Sequence, residues 1–384
     1  MKYNFDKISN RLHTSSIKWD VKENELPMWV ADMDFMVAPE IQEAICDATK
    51  DNSYGYTYPT KEYFDAYQYW WNKRHKVNIP TDWMIFASGV VSALDSMIRV
   101  LTKENDGVML LTPVYHTFFN VIRNNKSVVV TSDLLKDNYS INYQDVESKI
   151  KNSNVKALIF CNPHNPMGRI WKKEEIKALM DICSKNGVYF ISDEIHCDIV
   201  DPGYEYCPAL SASEDAIVCL SPGKAFNLAG IHSAVIAVKD EKIRQKLQAA
   251  FYRDDIGEPS YFAIPATIAA YTKGEEYVNQ LNEYLFENKR YVYAFIKENL
   301  PHVRLVDAHA TYLLWLDVSA LKIRSDIFVD ELRKQTGLIL SPGLQFGEDG
   351  AYFLRMNIAT SLENVKDAMN RLQKFIEAKE KTNA

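Results

Sequence analysis

Lys224 is the residue whose position in this sequence most strongly indicates chemistry. It lies in the turn at 221–227, directly after the apolar run at 216–220 that is typical of a buried strand. A lysine held in a tight turn beyond a strand can act as an amine nucleophile or base. An arbitrary loop lysine usually points into solvent, so the interpretation depends on the polar residues that accompany Lys224.

Two further polar residues follow other apolar runs. Asn165 comes after the run at 157–161, and Asp193 ends the run at 188–192. Taken singly, Asp193 could cap a turn and Asn165 could be a turn residue beside Pro166. Together with the lysine they are what a protein supplies for pyridoxal 5′-phosphate (PLP) chemistry: a Schiff-base amine, a carboxylate for the pyridinium nitrogen and a donor for the phenolate oxygen.

A sheet with parallel strands would bring these three residues together. Between about 80 and 240 the sequence alternates short apolar runs with helical patterns, which predicts an α/β domain. The predicted strands are 84–87, 108–111, 128–130, 157–161, 188–192, 216–220 and 234–238, and the predicted helices include 90–102 and 172–186. Ligands of such sheets bind beyond the carboxyl ends of the strands. Asn165, Asp193 and Lys224 all fall there.

The rest of the sequence predicts a second, smaller unit. The length of 384 residues exceeds the roughly 250–300 residues that one core usually supports. A long helix is predicted at 275–300, strands at 311–318 and 351–358, and a last helix at 362–379. We therefore predict a large α/β domain with a mostly parallel mixed sheet over residues 46–284. Residues 1–45 and 285–384 are expected to form a discontinuous α+β domain.

Composition and charge argue against several classes of protein. The formal net charge is −7 and no block of lysines and arginines stands out, so nucleic acids and anionic membranes are poor partners. No run of ~18 apolar residues predicts a membrane span, and the start does not resemble a signal peptide. The six cysteines form no C-x-x-C pair, which favours reduced thiols in a cytoplasmic protein.

The spacing of the three polar residues resembles that of the fold type I PLP-dependent enzymes, the aminotransferase class I/II superfamily. Asn165 precedes Asp193 by 28 positions, and Asp193 precedes Lys224 by 31. The resemblance covers essentially the whole sequence. It implies that Lys224 forms the Schiff base with PLP, that Asp193 pairs with the pyridine nitrogen and that Asn165 contacts the 3′ oxygen of the ring.

The same resemblance implies a set of phosphate-binding residues. Gly89, Val90 and Val91 stand at the start of a predicted helix, where free N–H groups and the helix dipole favour an anion. A routine strand-to-helix turn is the alternative. Ser221 matches the phosphate-binding serine of the family. Tyr56 resembles the tyrosine that reaches the phosphate of the partner subunit, which implies a homodimer with shared active sites.

Other positions match residues that contact the ring or the amino-acid substrate. Tyr115, counted among the catalytic residues, matches the aromatic side chain that stacks on the pyridine ring, and a core tyrosine is the alternative. Arg355 matches the arginine whose planar guanidinium group binds the substrate α-carboxylate. Ala31 and Asn165 are also expected to bind the substrate. His196 stands where the broader aminotransferases have tyrosine. It is expected to bind the cofactor, or to be a nearby histidine without a catalytic role.

Four stretches resemble one branch of the superfamily, the MalY/PatB-type cystathionine β-lyases, also called cysteine-S-conjugate β-lyases. They are Met-Trp-Val-Ala-Asp-Met-Asp-Phe at 28–35, and the stretches at 16–20, 193–196 and 224–230. This resemblance implies a PLP-dependent C–S β-lyase that releases thiol, ammonia and pyruvate. The alternatives are an aminotransferase for an aromatic or neutral amino acid, and a relative with an additional regulatory role through a protein partner.

The sequence departs from the lyase pattern around the phosphate. Gly223 and Ala225 flank the lysine where the lyases usually have hydroxyl residues, and His232 stands where many aminotransferases have a phosphate-binding arginine. We therefore expect phosphate binding to depend more on Ser221, Tyr56 and the end of the helix that begins near residue 90.

Overall fold

The structure is a computed structural model and describes residues 2–383. Its strands are β1 (Leu26–Pro27), β2 (Met84–Ala87), β3 (Gly107–Thr112), β4 (Val128–Asp133), β5 (Val155–Cys161), β6 (Tyr189–Asp193), β7 (Ile217–Leu220), β8 (Ala234–Ala237), β9 (Arg304–Leu305), β10 (Leu313–Asp317), β11 (Leu338–Ile339), β12 (Ser341–Pro342) and β13 (Phe353–Asn357). Its helices are α1 (Pro39–Ala48), α2 (Lys61–His75), α3 (Val90–Leu101), α4 (Thr117–Asn124), α5 (Tyr143–Asn152), α6 (Lys173–Lys185), α7 (Ala209–Ala212), α8 (Glu241–Arg253), α9 (Ala263–Lys273), α10 (Glu275–Asn299), α11 (Ser325–Thr336) and α12 (Leu362–Asn383).

A mixed sheet of seven strands forms the largest layer within the described residues. Its order is β2-β8-β7-β6-β5-β3-β4. The neighbouring strands from β7 to β4 are parallel, and β8 runs antiparallel to both of its neighbours. Every residue of β2, β3, β7 and β8 is buried, as expected for strands covered on both faces. The predicted α/β fold with a mostly parallel mixed sheet is confirmed.

The register of the central strands brings the polar residues to one edge. Cys161 at the end of β5 is paired with Asp193, and Asp193 is paired with Cys219 of β7. These strands therefore end nearly level, and the segments that carry Asn165 and Lys224 leave the sheet at the same edge as Asp193. The arrangement follows from parallel pairing, which places successive carboxyl ends side by side.

Helices cover the sheet with apolar faces that the sequence shows. α3 buries Ala93, Leu94, Met97 and Ile98, at the i, i+1, i+4 and i+5 spacing of one helical face. α6 buries Ile176, Leu179, Met180 and Cys183, and the side chain of Glu175 accepts the N–H of Lys172 at 2.9 Å, which caps its first turn. Burying each such aliphatic side chain contributes about 1.5–3 kcal/mol.

Two smaller sheets lie outside the seven-stranded one. β12-β13-β10-β9 is antiparallel, whereas β1 pairs in parallel with β11. The pairing of β1 with β11 attaches the amino-terminal segment to the carboxyl-terminal part of the chain. The division into 46–284 and 1–45 with 285–384 stays a prediction. None of the helices within residues 2–383 is both long enough and apolar enough to cross a membrane.

Candidate active site

A cleft of about 970 Å³ opens at the carboxyl edge of β5, β6 and β7. This volume lies in the range of small-molecule and cofactor sites. The predicted site residues that line it are Ala31, Gly89, Val90, Val91, Tyr115, Asn165, Asp193, His196, Ser221 and Lys224. The structure therefore gathers at one cleft residues that lie almost two hundred positions apart in the sequence.

Lys224 presents its amine inside the cleft. Its Nζ donates a hydrogen bond to the carbonyl oxygen of Ala31 at 2.8 Å. Removal of the amine from bulk water lowers its pKa to about 8, with the charges of Asp32 and Arg355 acting in opposite directions. Because the pKa is lowered, a much larger fraction of this amine is neutral and nucleophilic near pH 7 than for an exposed lysine.

Asp193 is buried at the end of β6, where it interacts electrostatically with Lys224. One of its oxygens accepts the backbone N–H of Ile195 at 3.2 Å. Burial raises its pKa to about 6, because a carboxylate is poorly stabilised away from water. A cationic N–H placed against this carboxylate would compensate for that cost. The pyridinium nitrogen of PLP is such a group, so Asp193 fits the cofactor.

Arg355 and Asn165 form the next part of the site. Arg355 is held by β13 between Trp315 of β10 and Ser341 of β12. Its Nη1 donates to Asn165 Oδ1 at 3.2 Å and its Nη2 donates to the carbonyl of Trp29 at 2.8 Å. Its Nε is buried without a partner among the described residues. Burial lowers its pKa to about 10, so the guanidinium stays charged at neutral pH and can receive a carboxylate.

The start of α3 forms another wall of the cleft, with Gly89 just before its first turn. First-turn N–H groups lack partners within a helix, so this end can receive a phosphate. The hydroxyl of Ser221 donates to the carbonyl of Ser233 at 2.7 Å and accepts the N–H of Gly223 at 3.0 Å. Ser221 therefore also shapes the turn that carries the lysine. His232 lines the same cleft.

His196 and Tyr115 both line the cleft. Burial lowers the pKa of His196 well below its ordinary value, and the charges of Lys224 and Arg355 act in the same direction. The ring is therefore neutral, and its buried Nδ1 has no partner among the described residues. Tyr115 is half-buried, with its ring edge-on to Phe118.

Two predicted site residues do not line the cleft of their own chain. Arg355 contacts the lining through Asn165, whereas, among the described residues, no such contact is seen for Tyr56. Its side chain is fully exposed, and Tyr54 and Tyr58 beside it are exposed by more than half. Thr57 anchors the segment through a hydrogen bond from its Oγ1 to the carbonyl of Pro259 at 2.9 Å. The anchored segment presents its aromatic side chains to the outside of the subunit.

Two residues at the site were missed by the sequence interpretation. Tyr312 donates its hydroxyl to the carbonyl of Ala31 at 3.1 Å, next to the amine of Lys224. Asp32 raises the pKa of that amine by its negative charge. The sequence gives no signal for Tyr312, because its contact with residue 31 spans 281 positions. Asp32 stands inside the stretch at 28–35, so that stretch was the available signal.

Comparison with known proteins decides the family. Residues 24–372 match the family described as aminotransferase class I and II. The chain belongs to this family. The match confirms the resemblance seen in the sequence, and it includes both Lys224 and Arg355.

The similarity to individual proteins of known name or structure covers nearly the whole chain. Cystathionine beta-lyase PatB from Bacillus subtilis (strain 168) is 35% identical over 383 residues, with 96% of this chain and 99% of that protein covered. Cystalysin from Treponema denticola, solved with PLP, has a TM-score of 0.94 at 34% identity, covering 98% of this chain and 100% of its own. The PLP-bound C-S lyase from Staphylococcus hominis has a TM-score of 0.93 at 32% identity, covering 98% of both chains.

Proposed function

We propose that this aminotransferase class I and II protein is a PLP-dependent C–S β-lyase. Its substrates would be cystathionine or other S-substituted cysteines, and its products a thiol, ammonia and pyruvate. The observation that carries the proposal is one cleft lined by a lysine of lowered pKa and a buried carboxylate, with a buried arginine that donates a hydrogen bond to Asn165 of the same lining. Full-length similarity to PatB and to two PLP-containing structures supports it.

The residues that would hold PLP follow from the chemistry of the donor set. Lys224 would carry the Schiff base, Asp193 would face the ring nitrogen, and Asn165 would reach the ring oxygen. His196 has a buried ring nitrogen without a partner among the described residues, and we propose that it also serves the ring. Tyr115 would cover the face of the ring.

The phosphate group would lie at the other end of the cleft. Gly89, Val90 and Val91 would supply N–H groups at the start of α3. Ser221 would keep the hydrogen bond that its oxygen accepts from Gly223 and would turn its hydroxyl proton from the carbonyl of Ser233 to the phosphate. Tyr56 points out of its own subunit, so we propose that it completes the cup of a second copy in a homodimer.

The chain's own residues would carry out the proton transfers. PLP, when bound, supplies an electron sink for the pair left at the substrate Cα. Arg355 binds the substrate α-carboxylate, close to Asn165 and to the carbonyl of Trp29. Lys224, once displaced by the substrate amine, accepts the α-proton at Nζ. The Cβ–S bond then breaks, the thiolate leaves with the bonding pair, and Lys224 can return its proton to the sulfur.

Asp193 contributes through its charge. As an anion it keeps the proton on the ring nitrogen, and this maintains the electron demand at Cα. Water then releases ammonia and pyruvate. A substrate without a leaving group on Cβ would leave Lys224 free to deliver the proton elsewhere, which is the transamination outcome.

The test is product formation by the purified protein. With L-cystathionine we expect pyruvate and thiol, together with a visible absorbance band that borohydride abolishes. Lys224→Ala should lose the band and lower the lyase rate by roughly 10²–10⁴-fold or more. Lys239→Ala is the control, since Lys239 is a surface residue paired with Glu214. If the protein instead carries out rapid 2-oxoglutarate-dependent transamination and forms no pyruvate from any S-conjugate, the lyase proposal is wrong and the protein is an aminotransferase.

We also propose a cytoplasmic location. All six cysteines are free thiols, and Cys161, Cys183, Cys197 and Cys219 are buried. Persistent free thiols suit a reducing compartment.

A further inference from the structure

Residues 29–35, here called the strap, meet the cleft at Ala31 and form a backbone segment that is fixed by donors from other segments. Every carbonyl of the strap accepts a hydrogen bond from outside it. Side chains donate to six of the seven carbonyls. The carbonyl of residue 29 accepts from Arg355 and Ser341, that of residue 30 from Asn357, and that of residue 31 from Lys224 and Tyr312. The carbonyl of residue 32 accepts from Asn357 and Lys18, that of residue 33 from Arg11 and Asn227, that of residue 35 from Asn227, and that of residue 34 from the backbone N–H of Ser9.

The strap contacts both reactive ends of the proposed site. The carbonyl of Ala31 holds the amine of Lys224 at 2.8 Å, and the carbonyl of Trp29 holds Nη2 of Arg355, also at 2.8 Å. A shift of the strap would therefore move the proposed base relative to the residue that binds the substrate carboxylate. A misplacement of about 1 Å can cost roughly 100-fold in rate.

A buried ion pair anchors the middle of the strap. Lys18 Nζ lies 2.9 Å from Asp34 Oδ1, and each side chain is 1% exposed. The same Nζ donates to the carbonyl of Asp32 at 3.0 Å, and Trp19 donates its indole N–H to Asp34 Oδ1 at 2.7 Å. Because it both pairs with Asp34 and holds the carbonyl of residue 32, Lys18 fixes the strap on the carboxyl side of Ala31.

A gain in stability does not explain why Lys18 and Asp34 are buried as a charged pair. Taking both charges out of water costs free energy that their attraction often fails to return, so apolar residues of similar size can be as stable or more so. Burial lowers the pKa of Lys18, and the negative charge of Asp34 opposes that shift. The pair does, however, define one position for the polar backbone that it holds.

We propose that Lys18 and Asp34 are positioning residues for the lysine chemistry: they fix the strap so that the Ala31 carbonyl holds the Lys224 amine where it takes and returns the α-proton. This inference rests on the proposed function. Lys18 and Asp34 do not themselves touch the substrate. They act through the strap on Lys224, whereas Arg355 is also held by Asn165 and Ser341.

The chain contains a matched control for this pair. Lys289 and Asp201 also form a buried ion pair, with Nζ 2.7 Å from Oδ1 and side chains 10% and 6% exposed. Lys289 likewise donates to a backbone carbonyl, that of Ala308 at 3.1 Å. Neither residue is part of the cleft lining. A variant of Lys289 therefore reports the cost of breaking a buried lysine–aspartate pair without moving the strap.

The experiment compares Lys18→Met with Lys289→Met as holoenzymes. Thermal unfolding should show both less stable than wild type. Exchange of the α-proton of L-alanine with solvent deuterium should slow roughly 10- to 100-fold in Lys18→Met, with KM changed less than about 3-fold because Arg355 keeps its charge. The pH midpoint of the visible band should also shift in Lys18→Met. Lys289→Met should match wild type in both readouts.

Both variants retain the charged groups that act directly on Lys224, which are Asp32, Asp193 and Arg355, with neutral His196 beside them. Lys18→Met also removes a buried positive charge that interacts with Asp32 and Asp34. A shifted midpoint therefore supports a moved amine only together with slower exchange. A folded Lys18→Met protein with the exchange rate and midpoint of wild type would overturn the proposal.

A milder variant decides the matter if Lys18→Met does not fold. Trp19→Phe removes one N–H donor to Asp34, and Trp83→Phe is its control because Trp83 is half-buried outside the cleft lining. We expect a smaller decrease of the exchange rate in Trp19→Phe alone. Equal rates in both variants would refute the positioning role. Alanine exchange needs no C–S cleavage, so wild type that exchanges without forming pyruvate would sink the lyase assignment and leave this inference standing.

Discussion

Burial shifts the pKa values of Lys224 and Asp193 in opposite directions, and both shifts disfavour charge. The pKa of Lys224 falls to about 8 and that of Asp193 rises to about 6. A protein gains nothing for its own stability from a carboxylate kept in such a place. The two groups are better explained as parts of a binding site for a small molecule. That molecule would carry a positively charged N–H group for Asp193 and a carbonyl carbon for Lys224.

Replacement of Asp193 tests this at the level of stability. An ordinary aspartate has a pKa of 3.8, whereas folding raises that of Asp193 to about 6. The folded state then binds more protons between these values, so the free energy of unfolding of the apoprotein falls as pH rises from about 4 to 6, and the loss persists above pH 6. In Asp193→Asn this loss, up to about 3 kcal/mol, should be absent.

Urea unfolding of the apoproteins at several pH values between 4 and 8 measures the difference. The Asn variant should be the more stable protein at pH 7 and the less active one once PLP is added. Identical pH profiles for the two apoproteins would show that Asp193 is not destabilised by burial. Asp82→Asn, at an exposed aspartate, serves as the control and should leave the profile unchanged.

Residue type and spacing were enough to predict that Lys224, Asp193 and Asn165 lie together, because each stands at or beyond the end of an apolar run that is visible in the sequence, and the structure brings them to one cleft. Arg355 was found through the family resemblance. Lys18 and Tyr312 were not found, because their importance lies in contacts with the strap. Lys18 stands in the stretch at 16–20 that resembles the β-lyase branch, but its burial depends on packing that sequence periodicity does not describe.

At the scale of elements, apolar periodicity located the helices well. The helix predicted at 90–102 is α3 (Val90–Leu101), and that predicted at 172–186 is α6 (Lys173–Lys185). The last helix extends four residues beyond its prediction, because its polar end carries no stop signal. The direction of β8 was not predicted. The connection from β7 contains a short 3-10 turn at Ala229–Ile231, and without a crossover helix the next strand returns antiparallel.

A glycine in the segment after β5 offers a test at this scale. Gly168 has a φ of +68°, and a Cβ there would overlap the carbonyl oxygen of Ala310. Its own carbonyl accepts the N–H groups of His309 and Ala310 at 3.1 and 3.0 Å. Gly168→Ala must therefore disturb the contact between this segment and residues 309–310. We expect a loss of at least about 3 kcal/mol in the free energy of unfolding.

Gly187 provides the matched substitution. It has a similar φ of +66°, but no atom lies within 4 Å of the place a Cβ would take. Gly187→Ala should cost only about 1 kcal/mol, from the left-handed backbone alone. Denaturant unfolding measures both values. Equal losses in the two variants would mean that the backbone conformation, and not the overlap with Ala310, determines the cost.

At the scale of the whole molecule, the exposed segment at Tyr54, Tyr56 and Tyr58 leads to a prediction about assembly. If Tyr56 completes the phosphate cup of a partner, Lys224→Ala and Tyr56→Ala subunits should complement each other. A hybrid dimer contains one site in which both residues are intact. Unfolding and refolding an equal mixture of the two inactive proteins should restore about a quarter of wild-type activity, since half the dimers are hybrids.

Size measurement by light scattering should show a dimer in the same samples. Refolding each variant alone is the control and should give no recovery. A mixture that stays as inactive as its components, while still dimeric, would place Tyr56 outside the shared site.

The strap also constrains when the molecule can become an enzyme. β1 cannot pair until β11 has been synthesised, and some carbonyls of the strap have no donor until Asn357 has been synthesised. At translation rates of about 5–20 residues per second, roughly 15–65 s separate the synthesis of the strap from that of its last donor. During that interval the nascent amino-terminal segment, with Trp19 and Trp29, is open to chaperones. Lys224 can bond to Ala31 earlier, but the strap that carries Ala31 is fully fixed only once Arg355 and Asn357 have been made, so we expect the site to form late in synthesis.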